Sequence, residues 1–362
     1  MLLLISYKKS IFTYLFKTQP YKMKKNIISG GLLTLLLISC NAVPKAQTEA
    51  DVTKYMNTIT APELSTHLHI VASDEMEGRD TGTEGQKKAG KYLIEQYQKS
   101  GLSFPSKAEG WYQKVPSEFM AKGFAPKLND SENIWAFIEG SEKPNEILVI
   151  SAHYDHVGTK NGEVYNGADD DGSGTVALLE IAQAFAKAKK EGYGPKRSIL
   201  FLHVTGEEHG LHGSRFYSEN PLFPLQNTIA DINIDMIGRR DTLHPDTNNY
   251  IYVIGSDRLS SELHTINEAA NKKYTNLELD YKYNDRNDPE RIYYRSDHYN
   301  FAKKGVPAIF FFNGVHKDYH MASDTPDKIE YDALAKRAQL AFTLAWELAN
   351  REERIVVDKD GK

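Results

Sequence analysis

The sequence predicts a three-layer α/β/α sandwich around a central mixed, mostly parallel sheet. Short apolar runs with few polar interruptions recur along the chain, and stretches of helical period lie between them. No internal repeat or second composition regime divides the 362 residues. Continuous apolar runs read as strands buried on both faces, and strands alternating with helices build a largely parallel sheet.

In chain order, residues 1–40 read as a signal segment with its start at Met23. Lys24 and Lys25 form a short basic region, followed by an apolar stretch too short to span a bilayer. Leu37-Ile38-Ser39-Cys40 resembles a bacterial lipoprotein signal, whose cysteine carries the lipid; a plain secretory signal with an incidental cysteine is the alternative. The expected location is therefore exported, as a periplasmic or outer-membrane-anchored lipoprotein of a Gram-negative bacterium, with membrane contact through a lipid on Cys40. Cys40 is the only cysteine, so disulfides contribute nothing and stability must come from a core. Residues 41–60 read as a polar tether, and residues 61–362 as a single domain.

Within that domain, "EGQKKAGKYLIEQYQKSGL" places Ala89, Tyr92, Leu93 and Tyr97 on one stripe and ends at Gly101, as a helix does. Residues 103–130 read as loop. The expected strands are "NIWAFIEG" (133–140), "EILVISAH" (146–153), "RSILFLHVT" (197–205), "ADINIDMIG" (230–238) and "PAIFFFN" (307–313). The intervening helices include "GTVALLEIAQAFAKAKK", with Leu178, Ile181, Ala182 and Phe185 at i, i+3, i+4 and i+7, as well as "SSELHTINEAANKKY" and "YDALAKRAQLAFTLAWELANREE". All six charges of residues 1–40 are lysines, so the rest of the chain is more acidic than the overall −5. An acidic body without a basic patch excludes a nucleic-acid binder.

In open α/β sheets ligands sit beyond the carboxyl ends of the strands. Metal-binding residue types fall there. His153 and Asp155 follow "ILVISA", Glu207 and Glu208 follow "ILFLHVTG", Asp235 closes "INI", and Asp318 and His320 follow "AIFFFNGV". The loop "NGADDDGSG" (166–174) adds three adjacent aspartates, whose mutual repulsion calls for a countercharge. Histidines and carboxylates without cysteine suit catalytic zinc, manganese or cobalt, and carboxylates can bridge two ions. Such a site also needs a general base, and Glu207 and Glu208 offer one ligand and one base if Gly206 breaks the strand before them.

"SAHYDHVG", "NGADDDGSG", "TGEEHGLHGS", "NIDMIG" and "YHMASDTPD" resemble, in order and spacing, the motifs of peptidase family M28, the co-catalytic zinc aminopeptidases. The likeness runs from about Leu68 to the last helix. It implies two Zn2+, with Co2+ or Mn2+ as possible substitutes. His153 and Asp235 would hold one ion, Glu208 and His320 the other, and Asp170 would bridge them. Asp155 would fix the His153 tautomer, Glu207 would be the general base, and Tyr319 would steady the oxyanion. Asp171 matches a position that forms a cis peptide with the bridging aspartate, and Asp169 would face outward or cap. The implied activity is removal of N-terminal residues from peptide substrates. A dipeptidase or carboxypeptidase type, a glutaminyl cyclase and a metal-free receptor remain as alternatives, and the oligomeric state stays open.

Other histidines carry a structural reading: His67 and His69 in a helix, His203 in a buried strand. His209 and His212 adjoin the "GEE" turn and read equally as site neighbours or surface. Asp297 and His298 read as framework near the pocket, and residues 281–295 as either a solvated loop or a pocket wall.

Overall fold

The computed structural model describes residues 49–121 and 127–360, all within one compact unit spanning Val43–Lys362. The signal segment, with Met23 and Cys40, lies outside the described residues. The first elements are α1 (Glu49–Met56), α2 (Ala61–Val71), α3 (Glu84–Lys99), β1 (Tyr112–Val115) and α4 (Ser117–Met120). Next come β2 (Ser131–Ile138), β3 (Lys143–His153), a small hairpin of β4 (Thr159–Lys160) and β5 (Glu163–Val164), α5 (Gly174–Lys190) and β6 (Arg197–Val204). The remainder is α6 (His212–Glu219), β7 (Thr228–Ile234), β8 (Tyr250–Ile254), α7 (Ser261–Ala270), β9 (Glu278–Asp280), α8 (His298–Ala302), β10 (Ala308–Phe312) and α9 (Tyr331–Asn350).

Eight strands form one sheet in the order β1-β2-β6-β3-β7-β10-β8-β9. Its centre, β6-β3-β7-β10, is parallel; β2 joins β6 and β8 joins β10 antiparallel. Side chains alternate across each strand. Leu148 and Ile150 of β3 and Ile199 and Phe201 of β6 therefore enter one core, shared with α1, α2, α3, α5 and α9. Ile147, Val149, Leu200 and Leu202 enter a second core on the other face, with Tyr217 of α6 and Phe301 of α8. Burial on both faces explains the continuous apolar runs. The three layers and the mixed, mostly parallel sheet match the fold class read from the sequence.

Within this frame, β1 and α4 lie in the stretch read as loop, and β8 and β9 had no sequence counterpart. β1 alternates exposed and covered positions at the sheet's edge, where an apolar run is neither needed nor safe. The tether expected over residues 41–60 does not hold from residue 49 onward. From α1 onward Val52, Tyr55, Met56 and Ile59 are buried in the main core. Their spacing of i, i+3, i+4, i+7 is that of an amphipathic helix, masked by the polar residues between them.

Tyr55 anchors α1: it is fully buried, its ring stacks on Trp346 of α9 at 5.7 Å, and its hydroxyl donates to Glu191 at 2.8 Å. Tyr55→Ala should cost about 3 kcal/mol of unfolding free energy, as large-to-small core substitutions do. Urea denaturation reads this directly. An unchanged midpoint would mean that α1 contributes nothing to the folded body.

Candidate metal centre

Because β3, β6, β7 and β10 run parallel, their carboxyl ends share one rim, and residues far apart in sequence meet there. His153 ends β3. β6 stops at Val204, and Gly206 at φ 68° turns the backbone so that Glu207 and Glu208 both reach the site. Glu207 lines the cavity, whereas the Glu208 carboxylate points inward to His156 and His320. Asp235 follows β7, and His320, itself at φ 56°, follows β10.

Asp170 sits at the centre. Its Oδ1 lies 3.3 Å from His153 Nε2, and that nitrogen is 3.5 Å from Asp235 Oδ1. Its Oδ2 lies 2.9 Å from His320 Nε2, which is 3.0 Å from Glu208 Oε2. One carboxylate thus offers an oxygen to each of two ligand groups. His156 joins the second group, with Nδ1 2.7 Å from Glu208 Oε1 and 3.8 Å from Asp170 Oδ2. The sequence reading gave His156 no role, although it stands inside the quoted "SAHYDHVG".

The residues fit a metal. His153 Nε2, both His156 nitrogens, Asp170 Oδ2 and Glu208 Oε1 are buried without a hydrogen-bond partner among the described residues. Buried polar groups are ordinarily satisfied, so a row of orphaned imidazole and carboxylate atoms facing each other is the donor set of a hard or borderline cation. Burial would raise the Asp170 carboxyl, but the close imidazoles of His153, His320 and His156 hold it well below the usual carboxylate range. Glu207 goes the other way: burial, helped by Asp235 and Asp297, pushes it well above.

The aspartate loop has three distinct jobs. The Asp170–Asp171 peptide is cis. Asp171 Oδ1 accepts from Gly174 N at 2.9 Å, capping α5, and from Met236 N at 3.0 Å. Asp169 does not face outward: it is fully buried, with Oδ1 accepting from Gly238 N at 2.7 Å and Oδ2 3.0 Å from His316 Nε2. Asp324 Oδ2 accepts from the backbone N–H groups of both Asp169 and Asp170, at 3.0 and 3.2 Å. Gly167, at φ 54°, leaves no room for a Cβ, which would collide with the Asp170 carbonyl and the His156 ring.

Beneath the loop, the fully buried Arg79 guanidinium donates to the carbonyls of Tyr154, Val71, Asn166 and Gly167 at 2.6–3.0 Å. It ties the segment after His153 to the one before Asp170 and sets a positive charge under the acids.

Asp155 differs from expectation. His153 Nδ1 is 3.1 Å from the backbone carbonyl of Asp155 and 3.8 Å from its carboxylate. That carboxylate instead accepts from Thr81 Oγ1 at 2.9 Å and Glu207 N at 3.2 Å, steadying the glutamate turn. The tautomer contact therefore passes through the backbone. Tyr319 lines the cavity and stacks on the His320 ring at 3.9 Å; burial and then Asp170, Glu208 and Glu207 push its hydroxyl well up.

Outside the cluster, Asp318 braces its loop through Arg239 and Lys328, at 3.0 and 2.8 Å. His203 is core, 2.6 Å from Tyr97 Oη, and burial lowers it to about 3. His209 pairs with Asp80 at 2.8 Å at the rim, and His212 is buried at the start of α6. Asp297 accepts from Ser214 at 2.5 Å, and His298 stacks on Phe310. Residues 281–295 divide: Tyr283 and Tyr293 are core, while Ile292 and Arg295 line the cavity.

A probable leucine aminopeptidase of Trichophyton verrucosum is 31% identical over 225 residues, covering 60% of this chain and 57% of that protein. A probable zinc metalloprotease of Pyricularia oryzae is 27% identical over 289 residues, covering 68% and 54%. The chain thus spans little more than half the length of these curated relatives. The Legionella pneumophila LapA aminopeptidase shares the fold at a TM-score of 0.65 and 21% identity, over 91% of this chain and 81% of that one. Both of these sequence relatives are fungal, which stands against the expected periplasmic or outer-membrane lipoprotein of a Gram-negative bacterium. A short basic and apolar leader ending in one cysteine is too little sequence to fix a compartment, and no helix among the described residues is long and apolar enough to cross a membrane. The sequence model of peptidase family M28 matches residues 133–345, which takes in all of the central parallel strands and every side chain of the cluster, and the chain belongs to that family.

Proposed function

We propose that the protein is a zinc-dependent aminopeptidase that hydrolyses the first peptide bond of short peptides at a two-ion centre. One observation carries this: Asp170 turns its two carboxylate oxygens toward two separate ligand groups beside an open, partly apolar cavity. His153 and Asp235 would hold one ion, Glu208 and His320 the other, with Asp170 between them and His156 within reach of the second. Zinc bound there would supply Lewis acidity and lower the pKa of water toward neutrality.

The chain's own residues do the rest. Glu207 belongs to neither ligand group, its Oε2 lying 4.0 Å from His153 Nε2, and it faces the cavity. It accepts the proton of the attacking water and returns it to the departing amine. A carboxyl raised by burial is suited to that exchange near neutral pH. Tyr319, protonated throughout the working range, donates its O–H to the oxygen of the scissile carbonyl. The acidic rim draws the substrate's ammonium terminus, while Met236, Ile292, Phe310, Phe312 and Val315 receive an apolar side chain.

Glu207→Gln should keep its zinc by elemental analysis yet lose about 100- to 10,000-fold in kcat, the range removed with a general base. Near-normal turnover would move the base elsewhere. Asp170→Asn should lose both zinc and activity, because an amide cannot offset two dications; full metal retention would move the bridge. Chelation should lower the melting temperature and added zinc restore it, since a cation bound only by the folded state stabilises it. A melting temperature indifferent to zinc would argue against the centre. The activity itself is read by mass spectrometry of free, N-acetylated and C-amidated forms of one peptide mixture. Trimming of the free and amidated forms alone is expected, cleavage of only acetylated and free forms would mean a carboxypeptidase, and loss of ammonia from N-terminal glutamine would mean a cyclase.

A further inference from the structure

The cavity beside the cluster is lined by three acids, five apolar residues, Tyr319 and one base, Arg295. Arg295 is exposed, and its guanidinium makes no hydrogen bond or ion pair with a described residue. This is unusual company for an unpaired arginine, since the same cavity wall holds Asp170, Glu207 and Asp235. The other arginines near the site are engaged: Arg79 with four carbonyls, Arg239 with Asp318, and Arg258 with the Asn284 carbonyl and the Tyr293 ring. Arg295 is also fixed at its base. Its backbone N–H donates to Ile292 O at 2.9 Å, and Ser296 beside it donates to the Asp235 carboxylate at 2.6 Å. The side chain therefore springs from a rigid point next to a ligand, on the wall of the cavity. A guanidinium matches a carboxylate in a two-pronged geometry that a lysine or an amide does not reproduce.

We propose that Arg295 is a carboxylate-reading residue that makes the preferred substrates of this centre peptides carrying an anionic group close to the scissile bond. The inference rests on the aminopeptidase reading and specifies its substrate class. With the ammonium terminus at the acidic rim, a carboxylate can reach Arg295 in two ways: as the C-terminus of a dipeptide, or as the side chain of an aspartate or glutamate.

The test is a set of paired substrates given to the zinc-loaded full-length protein: Leu-Ala against Leu-Ala amide, and Glu-Ala amide against Gln-Ala amide. The wild type should favour the carboxylate member of one pair, and which pair identifies the source. In Arg295→Gln the ratio of kcat/KM within that pair should fall at least about tenfold, with partial recovery in Arg295→Lys. A ratio within twofold of the wild type in both pairs would overturn the proposal, as would an equal loss on both members of each pair, which would make Arg295 a general electrostatic element. If no peptide is cleaved, the aminopeptidase reading fails separately. Calorimetric binding of Leu-Ala and of Leu-Ala amide to Glu207→Gln and to Glu207→Gln/Arg295→Gln then reads the same contrast without turnover.

Discussion

Everything at this rim follows from crowding acids that repel one another. Asp155, Asp169, Asp170, Asp171, Asp235, Asp297 and Asp324 are all buried in one region, with Glu207 and Glu208 beside them. A buried carboxylate without a partner is costly, so each must find a donor, a proton or a cation. Asp171 and Asp324 take backbone N–H groups, Asp169 takes His316 and Gly238, and Asp155 takes Thr81 and the N–H of Glu207. Asp170 Oδ2, Glu208 Oε1 and the facing imidazole nitrogens of His153 and His156 are among the buried atoms left without such donors, and they are the ones that face one another. The supporting hydrogen bonds thus hold the neighbouring acids in place around the group of atoms that could take a metal.

The same logic explains two of the buried arginines. Arg79 and Arg337 are almost wholly enclosed, yet neither forms an ion pair with a carboxylate among the described residues; each donates to backbone carbonyls. A guanidinium used in this way positions a chain segment and lends positive charge without removing an acid from the cluster.

The central strands and the rim residues were legible in the sequence because their physics is local. Strands buried on both faces must be continuously apolar, and a strand's carboxyl end is marked where the run stops. α5 begins at Gly174 and ends at Lys190, the bounds of its apolar pattern. Less local features escaped. β1 and β9 lie at the edges of the sheet and have no two-sided burial to enforce a pattern. His156 and Asp324 act through residues brought close only by folding, and the His153 contact passes through the backbone of Asp155, which no side-chain reading could anticipate. α1 was overlooked for another reason: its three buried positions, with Ile59 just beyond it, are in register, but the polar company they keep resembles a tether.

The bonds from Asp324 to the backbone of Asp169 and Asp170 close a loop of more than 150 residues. His320, Tyr319 and the floor residues Phe310 and Phe312 come from the same late part of the chain. A polypeptide emerging from the ribosome therefore carries His153 and the aspartate loop long before it can complete their surroundings. The parallel crossovers that bring β10 beside β7 are non-local and close slowly. A centre divided in this way cannot be assembled by an N-terminal fragment that stops short of His320, so its timing is built into the order of synthesis: the ligand set is complete only after β10 has docked beside β7.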